Sequence, residues 1–248
     1  MSNSEPLSVK PIVASSSLRT LAYEALKTAI TNMDIYGRPD EVRLDERKLS
    51  QDLGVSRTPV REALTVLEQE GFVRSEARRG VFVIKKNKRE IVSMIHAWTA
   101  LESMAARLAA KSMTAEEIAG LRELLAFHER QEDLSSGEAY YQREGDLDFH
   151  YRIVQGSHNR MLMTLLCDDL YYLVRLYRTQ FSAKGSRPQR AFVEHHRIVD
   201  AIEAGDAELA ELLMRRHVSA SRENVAAHYA RTLGEEASDS PAIPRIES

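Results

Sequence analysis

Residues 55–71 read VSRTPVREALTVLEQEG, and this stretch leaves the chain little conformational freedom. At 100° per residue, Val60, Ala63, Leu64 and Leu67 fall on one side of a helix, and Arg57, Thr58, Arg61 and Thr65 on the other. Ser56 is placed to cap it, Pro59 sits in the first turn where an amide has no intrahelical partner, and Gly71 ends it. The apolar side must be buried by other elements. The polar side sets guanidinium and hydroxyl groups beside a helix N-terminus. Arginine forks match guanine edges in a major groove, and hydroxyls with N-terminal amides suit phosphate oxygens. A merely solvated amphipathic helix would carry the same face, so its neighbours must decide.

Those neighbours form an ordered set. Apolar residues recur at helical spacing from Leu18 to about Met33, and Gly37, Pro39 and Asp40 break the pattern. A short helix is predicted at 45–53 (DERKLSQDL), closed by Gly54. FVRSEARRGVFVI reads as two short strands around a basic turn. The order is helix, helix, helix, hairpin, with a tight Gly54–Val55 turn before the reading helix, as in a helix-turn-helix. Arg78, Arg79 and Gly80 at the hairpin tip are placed to reach phosphates or a minor groove. Charge points the same way. The chain carries a net −3, yet residues 43–89 hold 12 basic and 7 acidic residues, leaving 22 basic and 30 acidic elsewhere. Only one part is therefore expected to meet a polyanion.

From Lys88 onward only helical patterns occur, roughly at 88–112, 114–134, 138–156, 159–182, 188–204 and 206–231. The expected organisation is a flexible arm (1–16), a DNA-binding domain (17–85), an all-helical domain (88–232) and a polar, disordered tail (233–248). The single cysteine, Cys167, excludes an intrachain disulfide, and no apolar run approaches the ~18 residues of a membrane span. The first residues lack the apolar core of a secretion signal. The expected location is the cytoplasm.

A second motif, GDLDFH at 145–150, sets Asp146 and His150 four residues apart, on one face if they share a helix. Further on, His195 lies 11 residues before Asp206 and His217 lies 11 after it. An antiparallel hairpin turning at Gly205–Asp206 would bring these histidines to one height. Asp146, His150, His195 and His217 thus make a candidate site for zinc, nickel, manganese or iron(II), with positions open for another molecule. His196 is about 100° from His195 on the wheel and is expected outside the site. The bland reading of each piece is a surface or capped histidine.

Residues 44–80, LDERKLSQDLGVSRTPVREALTVLEQEGFVRSEARRG, resemble the winged helix-turn-helix of GntR-family transcriptional regulators. That resemblance implies DNA contacts from Arg47, Ser56, Arg57, Thr58 and Arg61, and from the wing tip at Arg79 and Gly80. The family's usual Pro-Gly turn before the second helix is replaced here by GRPDEVRLDE. Residues 88 to about 230 resemble the six-helix ligand-binding domain of the FadR subgroup, the FCD type. Its metal-binding members carry an Asp-x-x-x-His pair and two later histidines, which Asp146, His150, His195 and His217 match. The resemblance implies a small carboxylate effector completing the metal sphere. It also implies a homodimer on an inverted-repeat operator.

One departure bears on the effector. An arginine often found four residues before the glutamate of the first helix is Trp98 here, in WTALES. A substitute cation is expected from Arg175 or Arg178, with hydroxyls from Tyr171, Tyr172 or Tyr177. Otherwise the effector is more apolar. The expectation is a mainly α regulator, a repressor by family default and not an enzyme. Its operator affinity would be set by an organic acid at or near a divalent metal. A metal-dependent enzyme or a pure metal sensor using the same ligands are the rivals.

Overall fold

A computed structural model describes residues 17–37, 40–130, 148–180 and 187–233, without the side chains of 168, 169, 178, 179, 187–189 and 231–233. The arm at 1–16, the tail beyond 233 and Asp146 lie outside the described residues. The chain forms two compact units: residues to Ile30 with Arg43–Val83, and Thr31–Val42 with everything from Ile84.

In the first unit, α1 (Leu18–Thr31) buries Ala22, Leu26 and Ile30, one turn apart. α2 (Glu46–Asp52) starts where the Asp45 carboxylate accepts from the backbone N–H groups of Arg47 and Lys48, at 2.8 and 3.1 Å. Gly54 adopts φ +66°, a conformation other residues resist, and turns the chain into α3 (Arg57–Gln69). α3 buries Pro59, Val60, Ala63, Leu64 and Leu67. Ser56 occupies the N-cap position of α3 with extended backbone, but its side chain makes no capping bond, contrary to expectation. The wing is β2 (Val73–Glu76) and β3 (Gly80–Val83), antiparallel. A two-residue strand, β1 (Arg43–Leu44), pairs with the other edge of β3, so the order is β1-β3-β2. Between α1 and α3, the buried Lys27 ammonium meets Glu70 at 2.9 Å and donates to the Tyr23 hydroxyl, which donates to Glu70.

The second unit is helical: α4 (Lys88–Ser112), α5 (Ala115–Glu129), α6 (Phe149–Gly156), α7 (Arg160–Met163), α8 (Tyr171–Gln180), α9 (Arg187–Glu203) and α10 (Ala207–Leu233). Asn87 and Thr114 start α4 and α5 through reciprocal capping boxes with Glu90 and Glu117. α10 packs along α4; Ala105, Ala106 and Ala109 are buried on α4, and Met214, Val218 and Val225 on α10. Two expectations are corrected. The single helix expected at 138–156 is described only as α6, which begins at Phe149. Asp148 precedes it in extended conformation and caps it, and the earlier part of the expected helix, Asp146 included, lies outside the described residues. Of the helix expected at 159–182, Arg160–Gln180 is described as one helical run, but Thr164–Leu170 is wound as a π-helix between α7 and α8.

Thr31–Val42 belongs to this second unit although it lies inside the sequence of the first. Ile35 is fully buried, and its N–H donates to the Gln180 side-chain oxygen at 3.0 Å. The Gln180 amide donates in turn to the Met33 carbonyl at 2.9 Å. Tyr36 donates to the Lys86 carbonyl and packs edge-on against Tyr177 and Tyr229. Burial pushes its hydroxyl far above the usual tyrosine pKa. No helix of the described residues is long and apolar enough to cross a membrane.

Candidate metal centre and candidate nucleic-acid interface

The helical unit brings three histidines together. α9 and α10 form a hairpin whose turn is closed by the Asp206 N–H donating to the Ala201 carbonyl, and the Asp206 carboxylate caps α10. Equal spacing from that turn sets the Nε2 atoms of His195 and His217 3.2 Å apart. His150, in the first turn of α6, brings its Nε2 to 3.3 Å from that of His217. All three imidazoles are buried, and their potential ligand atoms lie within 4.8 Å of one another. Nitrogens bound at zinc-like distances around one ion lie about 3.0–3.4 Å apart, so the spacing fits.

The outer edges of the rings explain which way the nitrogens face. Nδ1 of His150 meets Oε1 of Glu102, and Nδ1 of His217 meets Oε2 of Glu194 at 2.6 Å. An ionised carboxylate can only accept, so a neutral imidazole bonded to one donates from Nδ1 and keeps its Nε2 lone pair for the side facing the other rings. Two lone pairs 3.3 Å apart repel unless a positive charge lies between them. Phe149 stacks on the His195 ring, with centroids 4.0 Å apart, and fixes its plane.

In the sequence Glu102 serves only as the landmark for Trp98, and neither it nor Glu194 is given a role at the site. Glu102 is wholly buried, and its second oxygen accepts from the Trp98 indole N–H. Trp98, expected to shape an effector pocket, is itself buried and directed to Glu102. Asp148 accepts from the backbone of His150 and Tyr151, and its other oxygen from the Tyr171 hydroxyl at 3.0 Å. Burial, and then the Asp148 charge, push the Tyr171 hydroxyl far above its ordinary pKa. Tyr172 and Arg175 are half-buried beside Tyr171. The side chain of Arg178 lies outside the described residues. Tyr177, expected to offer its hydroxyl to an effector, donates it to the Ile84 carbonyl. His196 pairs with Glu129 at the surface, away from the cluster.

In the first unit, Arg57, Thr58, Arg61 and Thr65 are exposed along α3, and Arg47 is exposed on α2. Arg61 donates to Glu46 from Nη2 and Nε, at 3.0 and 3.3 Å. At the wing tip, Arg79 pairs with Glu76 and lies 5.3 Å over the Phe82 ring. Arg78 adopts φ +64° and Gly80 φ +111°. At φ +111° any side chain would be strained, so the tip needs glycine there. The face is a set of exposed long cations and short hydroxyls, suited to phosphates and base edges.

A three-helix head with a wing, followed by an all-helical body with a buried histidine cluster, defines the class: a two-part bacterial DNA regulator. Residues 18–83 match the model of the gntR family of bacterial regulatory proteins, and residues 93–220 match the FCD domain. The chain belongs to that family and is a transcriptional regulator of the GntR/FCD type. It is 37% identical over 126 residues to the Nta operon transcriptional regulator of Aminobacter aminovorans, covering 51% of this chain and 58% of that protein. It is 32% identical over 181 residues to a Paenarthrobacter nicotinovorans protein named for repression of a D-xylose utilization operon, covering 71% and 75%. Among solved structures, E. coli McbR/YncC shares the fold with a TM-score of 0.64 at 23% identity, over 87% of this chain and 98% of that one.

Proposed function

We propose that this regulator is a cytoplasmic, homodimeric repressor that holds an inverted-repeat operator through α3 and the wing. A small carboxylate, taken up at a divalent metal in the helical unit, sets its operator affinity. His150, His195 and His217 hold the metal, with Asp146 as the fourth ligand on the sequence pattern. The carrying observation is the pair of Nε2 atoms 3.3 Å apart, each turned inward by a carboxylate behind its ring. Zinc, nickel, manganese and iron(II) suit imidazole ligands; when bound, such an ion supplies fixed positive charge and coordination positions for an acid. Arg175, Tyr172 and Arg178 are the proposed effector contacts from the chain itself. Arg47, Ser56, Arg57, Thr58, Arg61, Arg79 and Gly80 are the proposed DNA contacts. The Ser56 hydroxyl, unused in capping, suits a phosphate oxygen. Whatever acid weakens operator binding must bind the operator-bound form more weakly by the same factor.

The test is a melting-temperature screen of small carboxylates on zinc-loaded and chelator-stripped protein, with every hit taken into operator titrations. The reading expects an acid that stabilises only the loaded form and shifts operator affinity. Metal that shifts operator affinity with no acid effect would make the chain a metal sensor. Metal that moves only the melting temperature would make the site structural.

A further inference from the structure

We infer that Glu102 is the positioning residue that fixes the proton of His150 on Nδ1, and that Trp98 fixes Glu102. Together they decide whether the His150 Nε2 is open to a metal. The inference rests on the proposed metal site for its consequence, but not for its geometry.

Trp98 and Glu102 stand one turn apart on α4, and His150 comes from α6. All three are buried. The indole is a donor only and the carboxylate an acceptor only, so both hydrogen bonds run toward Glu102. A buried carboxylate is costly to leave unpaired, which opposes its turning away from either partner. The arm behind His217 is built differently. Glu194 keeps about a third of its side-chain surface in water, which can stand in for a lost contact. The Glu102 side chain keeps no surface in water.

Glutamine at 102 has nearly the same shape but offers one carbonyl oxygen and one amide to the same two groups. Its oxygen meets the Trp98 N–H; its amide then faces Nδ1 of His150. The imidazole relieves that clash by moving its proton to Nε2, which closes that nitrogen to a metal. Removing the indole N–H as well frees the glutamine to turn its oxygen toward His150. Trp98→Phe should therefore partly rescue Glu102→Gln, a non-additivity that simple loss of packing would not produce.

The experiment uses the full chain: nitrogen-15 imidazole spectra of metal-free protein, and zinc affinity by chelator competition. The wild type should show the His150 proton on Nδ1. Glu102→Gln should show it on Nε2 and lose about 10–100-fold in zinc affinity. Glu194→Gln should lose less, and Trp98→Phe/Glu102→Gln should recover the Nδ1 proton and part of the affinity. A wild-type spectrum with the proton on Nε2 overturns the inference, whether or not any variant folds. So does zinc binding by Glu102→Gln equal to that of a zinc-binding wild type. If the wild type binds no zinc but the proton moves as described, the metal reading fails and the positioning chain stands.

Discussion

Arg61 on α3 and His150 on α6 each meet a glutamate, yet in different media. The Arg61–Glu46 pair has side chains 67% and 31% exposed; the His150–Glu102 pair has 5% and 0%. An exposed pair is screened and contributes little, so Arg61 can exchange Glu46 for a guanine edge at small cost. A buried pair holds its geometry because neither partner can return to water. The contrast matches the two proposed ligands. A polyanion suits long cations that can rearrange on an exposed surface. A small cation needs nitrogens aimed before it arrives.

The largest expected effect is on the head. Arg57→Ala with Arg61→Ala should weaken operator binding by about 1–3 kcal/mol per lost base contact, read by fluorescence anisotropy, while zinc affinity stays unchanged. Operator affinity should also fall steeply with salt and zinc affinity only slightly; equal salt dependence would erase the contrast. Next, Tyr171→Phe should cost about 1–3 kcal/mol in urea denaturation, because it strips a donor from the buried Asp148 carboxylate. Glu46→Gln should act the other way, raising operator affinity by up to about fivefold at low salt, since Arg61 no longer has to leave an acid. A loss there would make Glu46 an orienting partner. The smallest effect is at Asp45, whose carboxyl the N–H groups of Lys48 and Arg47 hold below the usual carboxylate range. Its contribution to α2 is fully present above the unfolded pKa of about 3.9 and is lost as pH falls through the lower folded value. Asp45→Asn should therefore narrow the gap between unfolding midpoints at pH 7 and pH 3.

Much of the fold was readable because it is local. The 3.6-residue period of 57–69 placed the buried face of α3, and Gly205–Asp206 placed the hairpin that joins His195 to His217. What was hidden is non-local or aperiodic. β1 has two residues, too few to show a period, and exists only because Arg43 and Leu44 lie opposite Phe82 and Val81. Helical spacing does not distinguish the π-wound Thr164–Leu170 from α-helix. The 3.6-residue period across 138–156 does not show that the Asp148 cap starts α6 at Phe149. Glu102 was legible only as a landmark for Trp98, because an acid on a helix normally marks the wet face. Only the fold reveals that Trp98 and His150 close over it.

The course of the chain has one more consequence. It leaves the first unit after Ile30, returns at Arg43 and leaves again after Val83. No single cut separates the two units whole. A fragment beginning at Ile84 would lack Ile35 and Tyr36, leaving the Gln180 amide without its backbone partners and the Tyr177 and Tyr229 rings uncovered. Grafting another reading head onto this body would have to splice at three points and keep residues 31–42. Such a chain is shuffled as interleaved pieces, and what looks like a linker inside the head travels with the helical unit.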